Sequence, residues 1–144
     1  MSFRNDAPCT NICIRNNIFC RTTESAVHVL TDWRYGAVFD NNLYWVPEGT
    51  IYRYDGDDLP SQVRGTNKTE RVFGAGPDEF ARYRRTMGMD AASRYGEPKF
   101  RDEKNRDYRL CHGTLGTSLS SDGGLVGARN MPGFKEDAPL VCAP

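Results

Sequence analysis

Ala26-Val27-His28-Val29-Leu30, Ala37-Val38-Phe39, Leu43-Tyr44-Trp45-Val46 and Thr50-Ile51-Tyr52-Arg53-Tyr54 are short β-branched and aromatic runs following one another within thirty residues of this 144-residue chain. Turn formers separate them: Asp32 to Gly36, Asp40-Asn41-Asn42, Pro47-Glu48-Gly49 and Asp55 to Asp58. Brief extended runs punctuated in this way predict strands. Asp40-Asn41-Asn42 suits a hairpin, because Asn and Asp tolerate the left-handed backbone that tight reversals need. The stretch therefore predicts a small antiparallel meander over residues 26–55.

Outward from it, residues 56–76 read as loop, with Pro60, glycine-containing turns and a polar run from Arg64 to Arg71. A helix is expected over residues 77–87. Pro77 fits the first helical position, Asp78 and Glu79 complement the N-terminal dipole, and Gly88 supplies a stop. Phe80, Tyr83 and Met87 then share one face. Residues 90–94 read as a further helical turn, and Phe100 to Arg109 as a solvated helix or extended arm. The expected class is α+β, mainly β, as a single small domain over 1–144. Within it lie an N-terminal arm (1–25) with one short strand, a meander plus helix (26–110), and a Gly/Pro-rich C-terminal extension (111–144). No internal repeat stands out.

Leu, Ile, Val and Phe together make up about 19% of the chain, near the limit below which a chain struggles to build a core of its own. The 16 aromatic residues are the main packing material. Formal net charge is zero and mean hydropathy −0.65. No apolar run approaches the roughly 18 to 20 residues of a membrane span, and Met1 to Asp6 lacks a signal-peptide apolar core. Neutral charge exerts no general pull on nucleic acid. These features favour an intracellular or virion-associated protein. Fifteen arginines against four lysines favour planar, fixed contacts over a loosely solvated charge coat.

Five cysteines, Cys9, Cys13, Cys20, Cys111 and Cys142, leave at least one unpaired within the chain. Their spacing matches no common zinc or iron–sulfur pattern. Reduced, packed thiols are the favoured reading, with one or two disulfides or a metal site as alternatives. His28 and His112 are the only histidines that could complete such a site, and no metal site is assigned. Asp55, Asp57 and Asp58 lack the ligand ladder of a calcium loop and read as turn residues. Asn67-Lys68-Thr69 is a glycosylation sequon, relevant to a secreted chain.

Arg82 to Arg109 carries nine basic and five acidic residues with aromatics interleaved. The five acids weaken it as a phosphate grip, so the segment reads as a protein-binding surface formed by Arg82, Tyr83, Arg84, Arg85, Tyr95 and Tyr108. Cys111 beside His112 invites a nucleophile reading, but adjacent strand residues face opposite ways, which favours a packed cysteine.

Thr50-Ile51-Tyr52-Arg53-Tyr54-Asp55, followed by Pro60-Ser61-Gln62-Val63, resembles the opening strand of cholera- and pertussis-type ADP-ribosyltransferase toxins. Gly116-Thr117-Ser118-Leu119-Ser120 looks like that family's serine–threonine–serine strand. The resemblance covers about 30 residues and implies NAD as a cofactor, with Arg53 on its phosphates and Thr117 and Ser118 supporting the nicotinamide pocket. The family's catalytic glutamate has no counterpart, since Glu136 is the sole glutamate after Ser120. No catalytic residue is therefore assigned. The favoured role is a non-enzymatic structural or accessory subunit, without a cofactor, bound to other protein subunits of a larger assembly such as a virion or phage, a cytoskeletal or ciliary lattice, or an organellar complex. An NAD-dependent mono-ADP-ribosyltransferase-like toxin or effector domain, active or inactive, is the alternative.

Overall fold

A computed structural model describes residues 2–3, 12–29, 38–57 and 68–127. The strands are β1 (Ser2–Phe3), β2 (Cys13–Arg15), β3 (Ile18–Cys20), β4 (Ser25–Val29), β5 (Val38–Asp40), β6 (Leu43–Trp45), β7 (Thr50–Asp57), β8 (Lys68–Phe73), β9 (Arg94–Tyr95), β10 (Phe100–Asp102) and β11 (Asp107–Leu110). The one α-helix among the described residues, α1, is Pro77–Met87. The class is α+β, mainly β, as expected.

The pairing departs from the expected meander. No two consecutive strands among β4 to β7 pair with each other. Cys13 faces Val38, Ile18 faces Leu43 and Ser25 faces Thr50, all in parallel and all 25 residues apart, as are Asn17 and Asn42 at the corner between strands. The chain thus winds as a short parallel β-solenoid. Coil one comprises β2, β3 and β4; coil two comprises β5, β6 and β7. The three faces are β1-β4-β7 with β8 added antiparallel, β2-β5, and β3-β6-β9.

The corners explain why no hairpin forms. Asn16 and Asn41 both hold left-handed backbone, at φ 62 and φ 54. Each occupies a two-residue corner between strands that end on different faces. Such a residue redirects the chain, and whether it reverses a strand or bends it to a new face depends on what the next strand finds. Here the preceding coil satisfies the next strand: Leu43 N–H donates to Asn17 O at 2.9 Å and Asn16 N–H to Asn41 O at 3.2 Å. Residues 13–20 of the expected N-terminal arm are accordingly strand, corner and strand, and β1 adds a further short strand where only one was expected. Residues 68–73, expected as loop, form β8 on the edge of the first face, and β7 runs on through Asp55 to Asp57. Phe100 to Leu110 is a hairpin of β10 and β11 around a 3-10 turn at Glu103–Asn105, rather than the expected solvated helix or extended arm. The expected turn at 90–94 is a bend with Asp90 at φ 56, leading into β9.

Alternation along each strand sorts the side chains into two layers. Inside the coils, Phe39, Tyr44, Val46, Tyr52, Tyr54 and Phe73 pack with Val27 and Val29. Phe19 stacks on Tyr44 at 4.9 Å, one coil above the other. Outside the β3-β6-β9 face, Leu43 packs with Leu110 and Val126, and Ile18, Phe100 and Leu119 lie against them. The 99–127 segment is therefore a second layer laid over that face.

Helix α1 closes one end of the solenoid. Its limits follow the sequence signals: Pro77 begins it, Asp78 and Glu79 fill the first turn, and Gly88 ends it in left-handed conformation with its N–H on Arg84 O. Phe80, Tyr83 and Met87 are the buried face. Tyr83 stacks on Tyr52 at 4.9 Å and meets Phe73 edge-on at 5.5 Å; Phe80 lies 5.3 Å from Tyr44. Aromatic burial of this kind compensates for the low aliphatic content, since each ring removes a large area from water.

Candidate functional site

Two features stand out where the coils meet the cap. The first is a polar ladder. Asn42, fully buried, accepts the Asn17 backbone N–H (3.0 Å) and Asn17 Nδ2 (3.3 Å) on its Oδ1. Its Nδ2 donates to Ile14 O at 2.9 Å and to Asp90 Oδ1 at 3.1 Å. Its own N–H donates to Ser93 Oγ at 2.8 Å, and Ser93 stands 51 residues further on, one rung beyond. Each side chain thus satisfies backbone groups of the adjacent coil that the corner leaves open.

The second is Asp90, only 1% exposed. Tyr44 (3.0 Å) and Tyr83 (2.5 Å) donate their hydroxyls to Oδ2, while Ser93 and Asn42 donate to Oδ1. The Asp90 N–H in turn donates to Phe39 O at 2.8 Å. All four side-chain donors are neutral. Burial pushes the Asp90 carboxyl up from its ordinary value, against the opposing pull of its donors. Burial likewise drives the Tyr44 and Tyr83 hydroxyls well above theirs, and the carboxylate adds to this. Asp90 therefore joins the cap helix, coil two and the approach to β9 through one side chain. Surrounded on every side by protein donors, it is a tie within the core, with no oxygen left facing solvent for a substrate.

The expected surface residues divide. Tyr83 is 0% exposed and bonded to Asp90, so the helix period turns it into the core, away from its arginine neighbours. Tyr95 is half-buried: its hydroxyl donates to Val46 O and accepts the Gly76 N–H, both at 3.0 Å, which fixes the start of α1. Arg84 reaches back to Ala91 O and lies 5.8 Å from the Phe80 ring centre. Arg82 is exposed yet engaged: it holds Glu79 at 2.6 Å and Val72 O at 2.7 Å, and sits over the Phe73 ring. Its hydrogen bond holds the Glu79 carboxyl below the usual value. Arg85 is exposed on the outer side of α1. Tyr108 is 52% exposed, with its ring edge-on to Phe100.

Arg53 is exposed on β7, in register with His28 on one side and Val72 on the other. Thr117 and Ser118 do not form the strand that the toxin resemblance implies. They belong to a run of turns in which Thr117 Oγ1 donates to Thr114 O at 2.8 Å, and Ser118 is exposed.

Cys111 is disulfide-bonded, and its partner lies outside the described residues. This corrects the expectation of packed, reduced thiols at that position and removes Cys111 as a nucleophile. Cys13 and Cys20 are free, the first exposed and the second half-buried, with burial raising the Cys20 thiol above its ordinary value. Among the described residues no group of three or more His, Cys, Asp or Glu is placed to hold a metal ion. No described helix is long and apolar enough to cross a membrane. Asp58, Pro60 to Val63 and Asn67 lie outside the described residues.

Sequence reading missed Asn17, Asn42, Asp90 and Ser93. A signal was present: Arg15-Asn16-Asn17-Ile18-Phe19 and Asp40-Asn41-Asn42-Leu43-Tyr44 share a pattern of charge, two asparagines, aliphatic and aromatic at the coil spacing. Two copies of five residues are a faint repeat, but paired asparagines at equal spacing are what a stacked corner requires. No protein-family model, curated protein or solved structure matches this chain.

Proposed function

We propose that this chain is a non-enzymatic structural subunit that binds protein partners within a larger assembly. The observation carrying this reading is the asymmetry of the solenoid. Its far end is closed by β8, α1 and the Asp90 tie, whereas no described strand pairs with the outer edges of β2 and β3. β1 covers the outer edge of β4, so coil one presents two strand edges, β2 and β3, without a described partner strand, and an unpaired strand edge is a place where another chain can add. The buried carboxylate supports the same reading, because its bonding capacity is spent on holding the cap. The Cys111 disulfide favours an oxidising setting, such as a virion or the cell exterior, over a reducing cytosol. Arg82, Arg85 and Tyr108 are the outward-facing groups for lateral contacts.

The test is the native size of the full chain, epitope-tagged and recovered from the cells that make it. It should elute far above its own 16.2 kDa. Combined Arg85→Glu and Tyr108→Ala should reduce the high-mass fraction without lowering Tm. Elution as a lone chain contradicts the proposal. So does a Tm that rises with millimolar NAD and stops rising in Arg53→Lys, which would place a dinucleotide on β7 instead.

A further inference from the structure

Residues 111–127 form a strap that runs from the end of β11 back to the corner of coil one. Past Leu110 none of its residues joins a sheet among the described residues. Asn16 Oδ1 accepts the Ser121 N–H at 3.0 Å, Asn16 Nδ2 donates to Ser121 Oγ at 3.2 Å, and the Gly127 N–H donates to Asn16 O at 2.7 Å. Asn41 Nδ2 donates to Leu119 O at 3.1 Å. Beneath the strap lie Leu43 and Leu110, which Val126 of the strap seals, with Ile18 against them. The fit is close. A Cβ on Gly116 would fall 2.9 Å from Leu110 and 3.2 Å from Leu43, and Gly116 sits at φ 101, where glycine is favoured.

Cys111 is the root of this strap. It is buried, its N–H donates to Lys99 O at 2.8 Å, its carbonyl accepts the Thr114 hydroxyl at 2.7 Å, and its sulfur is in a disulfide. Of the five cysteines, Cys13 and Cys20 are free, which leaves Cys9 or Cys142 as its partner. Both pairings restrain the strap. A bond to Cys142 closes a loop that contains residues 112–127. A bond to Cys9 ties the strap's root to the segment leading into the Asn16 corner, which holds its other end. The coils and cap have ties of their own, from Asn42 to Asp90 and Tyr83, that do not pass through the strap.

We propose that the Cys111 disulfide is a redox latch on the strap. Oxidised, it limits how far the strap can depart from the face it covers, which favours the seated state. Reduced, the strap lifts by local unfolding and presents Leu43, Leu110 and Ile18 as an apolar face, while the coils and cap keep their packing. The chemistry is exchange with a dithiol. One thiolate of the dithiol attacks a sulfur of the bond, and the other cysteine leaves as a thiolate. The second thiol then displaces the first cysteine, so two cysteine thiols and an oxidised, cyclic dithiol result, the dithiol having supplied both electrons. The latch is independent of the assembly role.

Hydrogen exchange of the full-length chain, read by NMR with and without dithiothreitol, tests this directly. Reduction should speed exchange of the Ser121, Val126 and Gly127 amides about tenfold or more and leave those of Asp90, Arg94 and Gly96 unchanged. The last three donate to Phe39 O, Asn42 O and Tyr44 O, within the coils. Cys111→Ser should show the fast pattern without reductant, and reoxidation of the wild-type chain with oxidised glutathione should restore the slow one. The proposal is overturned if the strap amides exchange at the same rate in both redox states. It is equally overturned if reduction speeds all six amides together or unfolds the chain, because the bond is then a staple of the whole fold. If Cys111→Ser does not fold, the comparison of oxidised and reduced wild-type chain decides alone.

Discussion

Tyr52 and Tyr83 stack on one another at the junction of coil and cap, yet their hydroxyls meet different fates. The Tyr83 hydroxyl donates to Asp90, whereas that of Tyr52 is buried with no partner among the described residues. A buried polar group without a partner costs about 1–3 kcal/mol, so Tyr52→Phe is expected to stabilise the fold and Tyr83→Phe to destabilise it by a similar amount. Urea unfolding of the two variants checks the opposite signs. Asp90 sets a pH dependence of its own. Its folded-state pKa lies above the unfolded value, so its contribution is fully present below the ordinary carboxylate range and fades as pH rises through the raised value. Asp107 works the other way: its hydrogen bond from Arg109 lowers it to about 2, giving stability that is present above the ordinary range and lost in strong acid. Asp90→Asn should therefore flatten the fall in Tm as pH rises above the ordinary carboxylate range, while leaving the loss in strong acid in place. An unchanged slope would mean that the carboxylate titrates normally. Tyr83 also shows what a linear reading can mistake. Beside Arg82, Arg84 and Arg85 it looks like part of a basic surface, while its spacing from Phe80 and Met87 places it in the core. The helical period decided the matter.

Elements defined by their own residues were legible; elements defined by distant partners were not. Helix α1 carries its start, stop and buried face within twelve residues, and the structure reproduces all three. The strands of 26–55 were likewise visible as runs of β formers. Their pairing was not, because an Asn-Asn corner serves a reversal or a bend equally well, and the coil one turn away makes the choice. Asn42 is where that choice is held. Asn42→Ala removes an acceptor and two donors from a buried site and should cost about 2–4 kcal/mol, more than Asn17→Ala, whose side chain keeps contact with solvent. Chemical denaturation of both variants measures the difference, and equal losses would contradict the ladder. Gly49 marks the second place where coils touch. A Cβ there would fall 2.5 Å from Thr22 O, so Gly49→Ala should destabilise the packing of coil two on coil one. Similar stability in the variant would show that the coils stand further apart.

At the scale of the molecule, the low aliphatic content looked like a shortage of core. The structure shows how the shortage is met, by aromatic rings stacked across coils and by an outer layer from residues 99–127 laid over one face. Parallel pairing joins residues far apart in sequence, and only two coils carry the repeat, so no local window contains the information. The candidate site shared that fate: Asn17, Asn42, Asp90 and Ser93 come from three segments that only the winding brings together. The outer edges of β2 and β3, which no described strand pairs, follow from the same winding, and so does the proposed role. The parallel register is therefore the claim on which the rest depends. Cross-strand NOEs in the full-length chain test it most directly. The account predicts contacts from the Leu43 amide to Asn17 and from the Phe19 ring to Tyr44, with none running antiparallel between Phe39 and Tyr44. A ladder of contacts between residues 38–40 and 43–45 across Asn41 and Asn42 would restore the hairpin and contradict the solenoid.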